Sequence, residues 1–159
     1  MTTAPIHLRK MFGAFPSGVA ALCAQAGGRP IGMAASTFTP VSLDPPLVSV
    51  CIRRSSGTWA RLRRLPSLGV SILGADHERA ARQLSAKAGD RFTGLKTVPT
   101  PDGALHLAEA CAWFECALDA ELPAGDHVIA VLRITRTGHG EAGEPLVFHA
   151  SRYRRLAQT

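Results

Sequence analysis

Aromatic residues are scarce in this 159-residue chain, at 6% with one tyrosine and two tryptophans. No helix-turn-helix, zinc-finger or aromatic RNA-binding motif accompanies its basic residues, which argues against a nucleic-acid partner. Long apolar runs are missing too. Arg, Pro, Asp or Gly interrupts each one, so neither a secretory leader nor a membrane span is expected, and a cytoplasmic protein without membrane contact is. The four cysteines form no metal set: only Cys111 and Cys116 lie near each other, without a second pair. They read as reduced core residues in a reducing compartment, and no metal site is expected. There is no GxGxxG after a strand and no GxxxxGK[ST], which excludes Rossmann and P-loop modes of nucleotide binding.

What is present is a balance of 46% hydrophobic and 19% charged residues, enough for one domain, residues 1–159, with a substantial core. The formal net charge is +6, and nearly all the positive charge is arginine. Arg53, Arg54, Arg61, Arg63 and Arg64 crowd together, either as a rim that attracts a nucleotide phosphate or as a solvated helix face.

Leu8, Met11, Phe12 and Phe15 follow helical spacing over His7 to Phe15, and Pro16-Ser17-Gly18 ends the pattern. Val19 to Ala26 and Pro30 to Thr39 flank Gly27-Gly28, which suits a hairpin turn. Asp44-Pro45-Pro46 leads into a third strand over Leu47 to Ile52. Ser55 or Ser56 caps a helix over Thr58 to Leu65, and Leu68 to Leu73 reads as a strand. Asp76 caps a further helix that runs to about Ala88. Period-two alternation puts Ala112, Phe114, Cys116 and Leu118 on one face of a strand and Val128, Ala130, Leu132 and Ile134 on one face of the next. Pro145 to His149 is a last strand, Gly138 to Gly143 a turn, and Thr97 to Gly103 a polar loop. Many short strands without regular strand-helix alternation predict a mainly β, antiparallel, nearly closed barrel with short helices.

The stretch from Gly32 to Val48, GMAASTFTPVSLDPPLV, resembles the central motif of the flavin reductase-like domain family. Phe12 to Val19, Asp90 to Gly94, Gly125-Asp126-His127 and Tyr153 are similar to four more of its segments, in the family's order. The resemblance extends from about Leu8 to Leu156. It implies an FMN-binding split β-barrel with Greek-key-like antiparallel strands, usually a homodimer. It also implies an NAD(P)H-dependent flavin reductase with FMN or FAD as flavin and NADH, alternatively NADPH, as electron donor. The implied setting is a two-component monooxygenase, in which reduced flavin passes to a separate oxygenase. Flavin storage or sensing without turnover, and reduction of another substrate such as a corrinoid, are the competing functions.

Carried onto this sequence, the resemblance places Met33, Ala34, Ala35, Ser36, Thr37 and Ser42 at the flavin. Small side chains there let backbone amides approach a flat ring, and the same run also suits a strand packed closely on its neighbour. Ser55, Ser56 and Thr58 fall where the family holds the flavin phosphate, at a loop that opens a helix. Arg91 and Phe92 add either a phosphate contact and a ring wall or a surface arginine and a core aromatic. His127 is assigned to the nicotinamide and to catalysis, as a positioning group, since hydride transfer needs two stacked rings and no protein base. Ser17 and Tyr153 border the same pocket. The chain departs from the family in carrying Ala34, Ser36, Thr37 and Pro40 where threonine, asparagine, serine and serine are common, which leaves the choice between FMN and FAD open.

Overall fold

The computed structural model describes residues 3–141 and 143–159. In chain order the elements are α1 (Pro5–Phe12), β1 (Ser17–Gly18), β2 (Ala20–Ala26), β3 (Arg29–Ala35), β4 (Thr39–Leu43), β5 (Pro46–Arg53), α2 (Gly57–Leu62) and β6 (Leu68–Ile72). A 3₁₀ turn (Ala75–His77) then leads to α3 (Glu78–Leu84), β7 (Thr97–Pro99), β8 (Leu105–Leu107), β9 (Ala112–Ala124), β10 (His127–His139), β11 (Val147–His149) and β12 (Arg152–Arg154). Seven strands form one antiparallel sheet in the order β3-β2-β6-β9-β10-β5-β4. β1, β11 and β12 make a small second sheet, and β7 pairs with β8.

The two long sheet edges share one core. Ile31 of β3, Leu22 and Ala24 of β2, Val50 and Ile52 of β5, Leu68 and Val70 of β6, Cys116 of β9 and Leu132 of β10 are buried in a single cluster under Trp59 and Leu62 of α2. The sheet therefore curls, and Phe38 stacks on Phe114 with ring centroids 5.8 Å apart. β2 is covered on both faces: Ala21 and Cys23 face a second cluster with Ala81 and Leu84 of α3, Leu105 of β8 and Leu146. Double burial is why β2 reads as a continuous apolar run, while the alternating faces predicted for β9 and β10 both point at the first cluster. Burial holds the Cys23 and Cys116 thiols in their neutral form, with pKa values pushed up to about 12. All four cysteines are free, and among the described residues no group of His, Cys, Asp and Glu is arranged to hold a metal.

Several boundaries differ from the sequence reading. The Gly27-Gly28 turn forms, with φ of 59° and 77°, but β3 stops at Ala35 and residues from Thr39 form a separate edge strand. Asp44-Pro45 is the turn between β4 and β5, and its peptide is cis. Thr97 to Gly103 is half of the β7–β8 hairpin, not a loop. Helix α3 ends at Leu84, and Gly74 caps the 3₁₀ turn before it. Asp76 instead accepts a hydrogen bond from Arg155 at 2.5 Å. Of the glycine-rich turn, Gly138 and His139 still belong to β10 and Ala142 lies outside the described residues. Helix α1 forms, yet none of its residues is buried.

Helix α2 is fastened to β9 by one carboxylate. Glu121 accepts from Trp59 Nε1 at 2.8 Å and from Arg63 Nε and Nη2 at 3.0 and 2.7 Å. Glu121→Ala is expected to cost about 1 kcal/mol at pH 7, modest because the Arg63 side of the pair is half-exposed. The hydrogen bond from Arg63 leads in holding the Glu121 carboxyl below its usual range. Its contribution is thus fully present above an unfolded carboxylate pKa of about 4.3 and is lost as pH falls through the lower folded value. Urea unfolding of wild type and variant should diverge at pH 7 and converge near pH 3. An equal gap at both pH values would show that the pair does not contribute through its charge.

Candidate active site

A cleft of about 370 Å³ opens where three strand ends meet. β3 and the residues after it supply Met33, Ala34, Ala35, Ser36 and Thr37. The end of β5 supplies Cys51, Ile52 and Arg53, the following loop Ser55 and Ser56, and the start of β10 supplies His127. The antiparallel register sets His127 directly opposite Arg53. Two sequence segments 90 residues apart, at Thr37 and His127, thus face one space.

Thr37 explains why β3 stops. Its hydroxyl donates to Cys51 O at 2.9 Å and accepts from Cys51 N at 3.0 Å, standing in for a strand partner while the chain leaves the sheet. Ser56 is the helix cap, its Oγ accepting from Trp59 N at 3.1 Å. The Ser55 hydroxyl has no hydrogen-bond partner among the described residues, so of the two serines it is the one left for a ligand.

His127 Nδ1 lies 2.6 Å from Asp126 Oδ1. That hydrogen bond is the first cause holding the Asp126 carboxyl below its usual range. The ring is therefore oriented by an ionised partner throughout the neutral range, which leaves Nε2 for other contacts. The turn itself is tied down: Arg54 N donates to Asp126 O at 3.0 Å, and Gly125 takes φ of 65°.

Other predicted residues take different places. Tyr153 lines an adjoining cleft of about 130 Å³ that shares Ala34, Ala35 and Ser36 with the first. It packs on Phe148, ring centroids 5.2 Å apart, with the Arg82 guanidinium 5.0 Å from its ring centre. Ser17 pairs with Phe148 in the small sheet, and Ser42 with Leu47 on the β4 edge; neither lines either of these two clefts. Arg91 lies behind β3. Its Nη1 donates to Gly32 O and to Thr58 Oγ1, both at 3.0 Å, and its Nε to Ala86 O at 2.9 Å. Phe92 packs against Gly32, where an added Cβ would come within 2.9 Å of its ring, so both residues brace the back of the cleft wall.

Cys51, Ile52, Arg53 and Ser85 line the clefts without having been assigned there from sequence. Arg53 was visible as part of the arginine cluster. Ser85, after α3, carried no local signal.

The model of the flavin reductase like domain matches residues 12–157. The chain is 36% identical over 132 residues to the stachydrine N-demethylase reductase subunit Stc3 of Rhizobium meliloti (strain 1021), covering 82% of this chain and 57% of that protein. It thus spans little more than half of that relative's length. Identity to the NADH-dependent FAD reductase of Streptomyces globisporus is also 36%, over 159 residues, 96% of this chain and 86% of the relative. The solved structure of the Streptomyces globisporus C-1027 NADH:FAD oxidoreductase SgcE6, in complex with NAD and FAD fragments, superposes with a TM-score of 0.91 at 36% identity, covering 97% of this chain and 93% of that one. A match over nearly the whole chain, joined to a cleft built from the same segments, places this protein in the flavin reductase like domain family.

Proposed function

We propose that this protein is an NADH-dependent flavin reductase, with the small-residue cleft as its flavin site. The observation that carries this reading is the convergence of Met33 to Thr37, Arg53, Ser55 and His127 on one space. The donor set suits a flavin. Ala34 and Ala35 admit a flat ring close to the backbone, while Ser55 and Arg53 offer a hydroxyl and a cation for a phosphate. A flavin bound there would supply the hydride acceptor, and backbone amides of the Ala34 to Thr37 segment would stabilise the charge its ring gains.

His127 positions the nicotinamide. With Nδ1 committed to Asp126, Nε2 would be the atom that holds the nicotinamide carboxamide. Asp126 and His127 both stay in place without a protein base taking part.

The remaining features fit a homodimeric split barrel in the cytoplasm that hands reduced flavin to a separate oxygenase. Ile6, Phe12 and Phe15 around α1, and Leu43 at the end of β4, are 75, 69, 79 and 97% exposed, an apolar surface suited to a second copy. No helix among the described residues is long and apolar enough to cross a membrane.

Anaerobic absorbance tests the reading. Purified protein with FMN or FAD should bleach the flavin band catalytically on addition of NADH, more slowly with NADPH. A flavin that binds and stays oxidised would favour storage or sensing instead. His127→Ala is expected to lower kcat/KM for NADH about tenfold, roughly 1.4 kcal/mol of transition-state binding, while flavin affinity stays within about twofold. A loss of flavin affinity matching the loss of rate would assign His127 to the flavin.

A further inference from the structure

A second cleft, of about 540 Å³, lies between the β7–β8 hairpin and the far ends of β9 and β10. Arg136 and His139 of β10 line it, whereas His127 of the same strand lines the flavin cleft. Arg136 stands nine positions along the strand from His127, about 30 Å, so the two clefts are distinct.

Its floor is unusual. His106 is 5% exposed and lines the cleft, yet neither ring nitrogen has a hydrogen-bond partner. Near it, but outside the cleft lining, lies Glu115, 1% exposed. Glu115 Oε1 accepts from Ser67 and Thr100, but Oε2 has no hydrogen bond and only the Arg136 guanidinium nearby, at 3.6 Å. Buried polar atoms left unpaired are costly, and an imidazole at the cleft floor with both nitrogens unpaired points to something that completes it. The cleft wall is apolar and aromatic, with Trp113 4.9 Å from the His106 ring and Pro99 at the hairpin.

We infer that this cleft binds a small uncharged planar ring carrying an O–H or N–H donor, of which phenol is the simplest example. The unpaired imidazole selects a donor. Burial favours its neutral form, which offers one acceptor nitrogen. The His106 nitrogens are closed off from solvent, so the ligand's hydroxyl meets one of them through a turn of the imidazole. Trp113 and Pro99 supply the flat apolar contact that a ring requires. Charge selects against anions: Glu109 and Glu141 line the cleft, while Arg136 is already paired with the Glu115 carboxylate outside it.

Nuclear magnetic resonance of the whole ¹⁵N-labelled protein tests this through its two tryptophan indoles. Phenol should shift the Trp113 signal saturably, with a dissociation constant on the order of 1 mM for so small a ligand. Trp59, bonded to Glu121, should not move. Benzoate should bind at least tenfold more weakly than phenol, His106→Leu should weaken phenol at least tenfold, and Ala108→Phe, at a half-buried lining position, should abolish the shift. Added FMN should leave phenol binding unchanged. Non-saturating shifts, equal movement of both indoles, benzoate binding as well as phenol, or competition by FMN would each overturn the inference. No turnover enters the readout, so a protein inactive as a reductase would leave this test standing.

Discussion

Arg91→Met is expected to lower the thermal midpoint by roughly 6 to 12 °C and to raise the flavin KM by about tenfold or more while kcat falls less. One guanidinium joins three elements: Gly32 O in β3, Thr58 Oγ1 in α2 and Ala86 O after α3. Methionine keeps much of the apolar volume and removes every donor, leaving two backbone carbonyls unpaired in a half-buried setting. Charge-assisted bonds of this kind are worth about 1.5 kcal/mol or more each, so a total near 3 kcal/mol is a conservative sum. The effect on flavin follows from position: Gly32 precedes Met33 on the cleft wall, and Thr58 follows the Ser55-Ser56 loop. Loosening both walls should weaken ground-state binding more than hydride transfer. Arg91→Lys should not rescue, because a point charge on a flexible stem does not reproduce a fork that reaches three acceptors. Thermal unfolding with steady-state kinetics decides it, and an unchanged midpoint with unchanged flavin KM would show that the arginine does not brace the site.

The long elements were legible because their cause is local. Glycines at 27 and 28 accept the positive φ of a tight turn, and alternation along β9 and β10 follows from one face turned to the core. The break after Ala35 was not legible, since it depends on the Thr37 hydroxyl bonding both backbone groups of Cys51, a partner 14 residues away. β4 and β7 were hidden for a related reason. Each contains a proline, at Pro40 and Pro99, and each is short and at a sheet edge, where a missing donor is tolerated and the apolar pattern is weak. In the site, Met33 to Thr37, Ser55, Ser56 and His127, which the motif order singled out, line one cleft. It left open which of Ser55 and Ser56 caps the helix, which the geometry assigns to Ser56. Nor did it separate Arg91 and Phe92, behind the wall, from the residues that line it.

Ser36→Phe is expected to raise the flavin dissociation constant at least 100-fold with little change in thermal midpoint. Ser36 is exposed, lies just beyond β3, and lines both the main cleft and the adjoining one that holds Tyr153. A larger side chain there costs the fold little, because it does not enter either core cluster. Within clefts of about 370 and 130 Å³, however, an added aromatic ring takes space that a flavin in the proposed site needs. A hundredfold change is about 2.7 kcal/mol, the scale of one lost ring position against the wall. Ser36→Asn is the discriminating control. Asparagine, common here among proteins that share this motif, adds a donor and an acceptor with little bulk, and is expected to hold flavin as well as or better than serine. Fluorescence quenching of FMN and FAD by each variant reads both affinities. Should Ser36→Phe bind flavin as wild type does, the flavin ring does not lie along Met33 to Thr37, and the bleaching experiment would have to be interpreted through a different site.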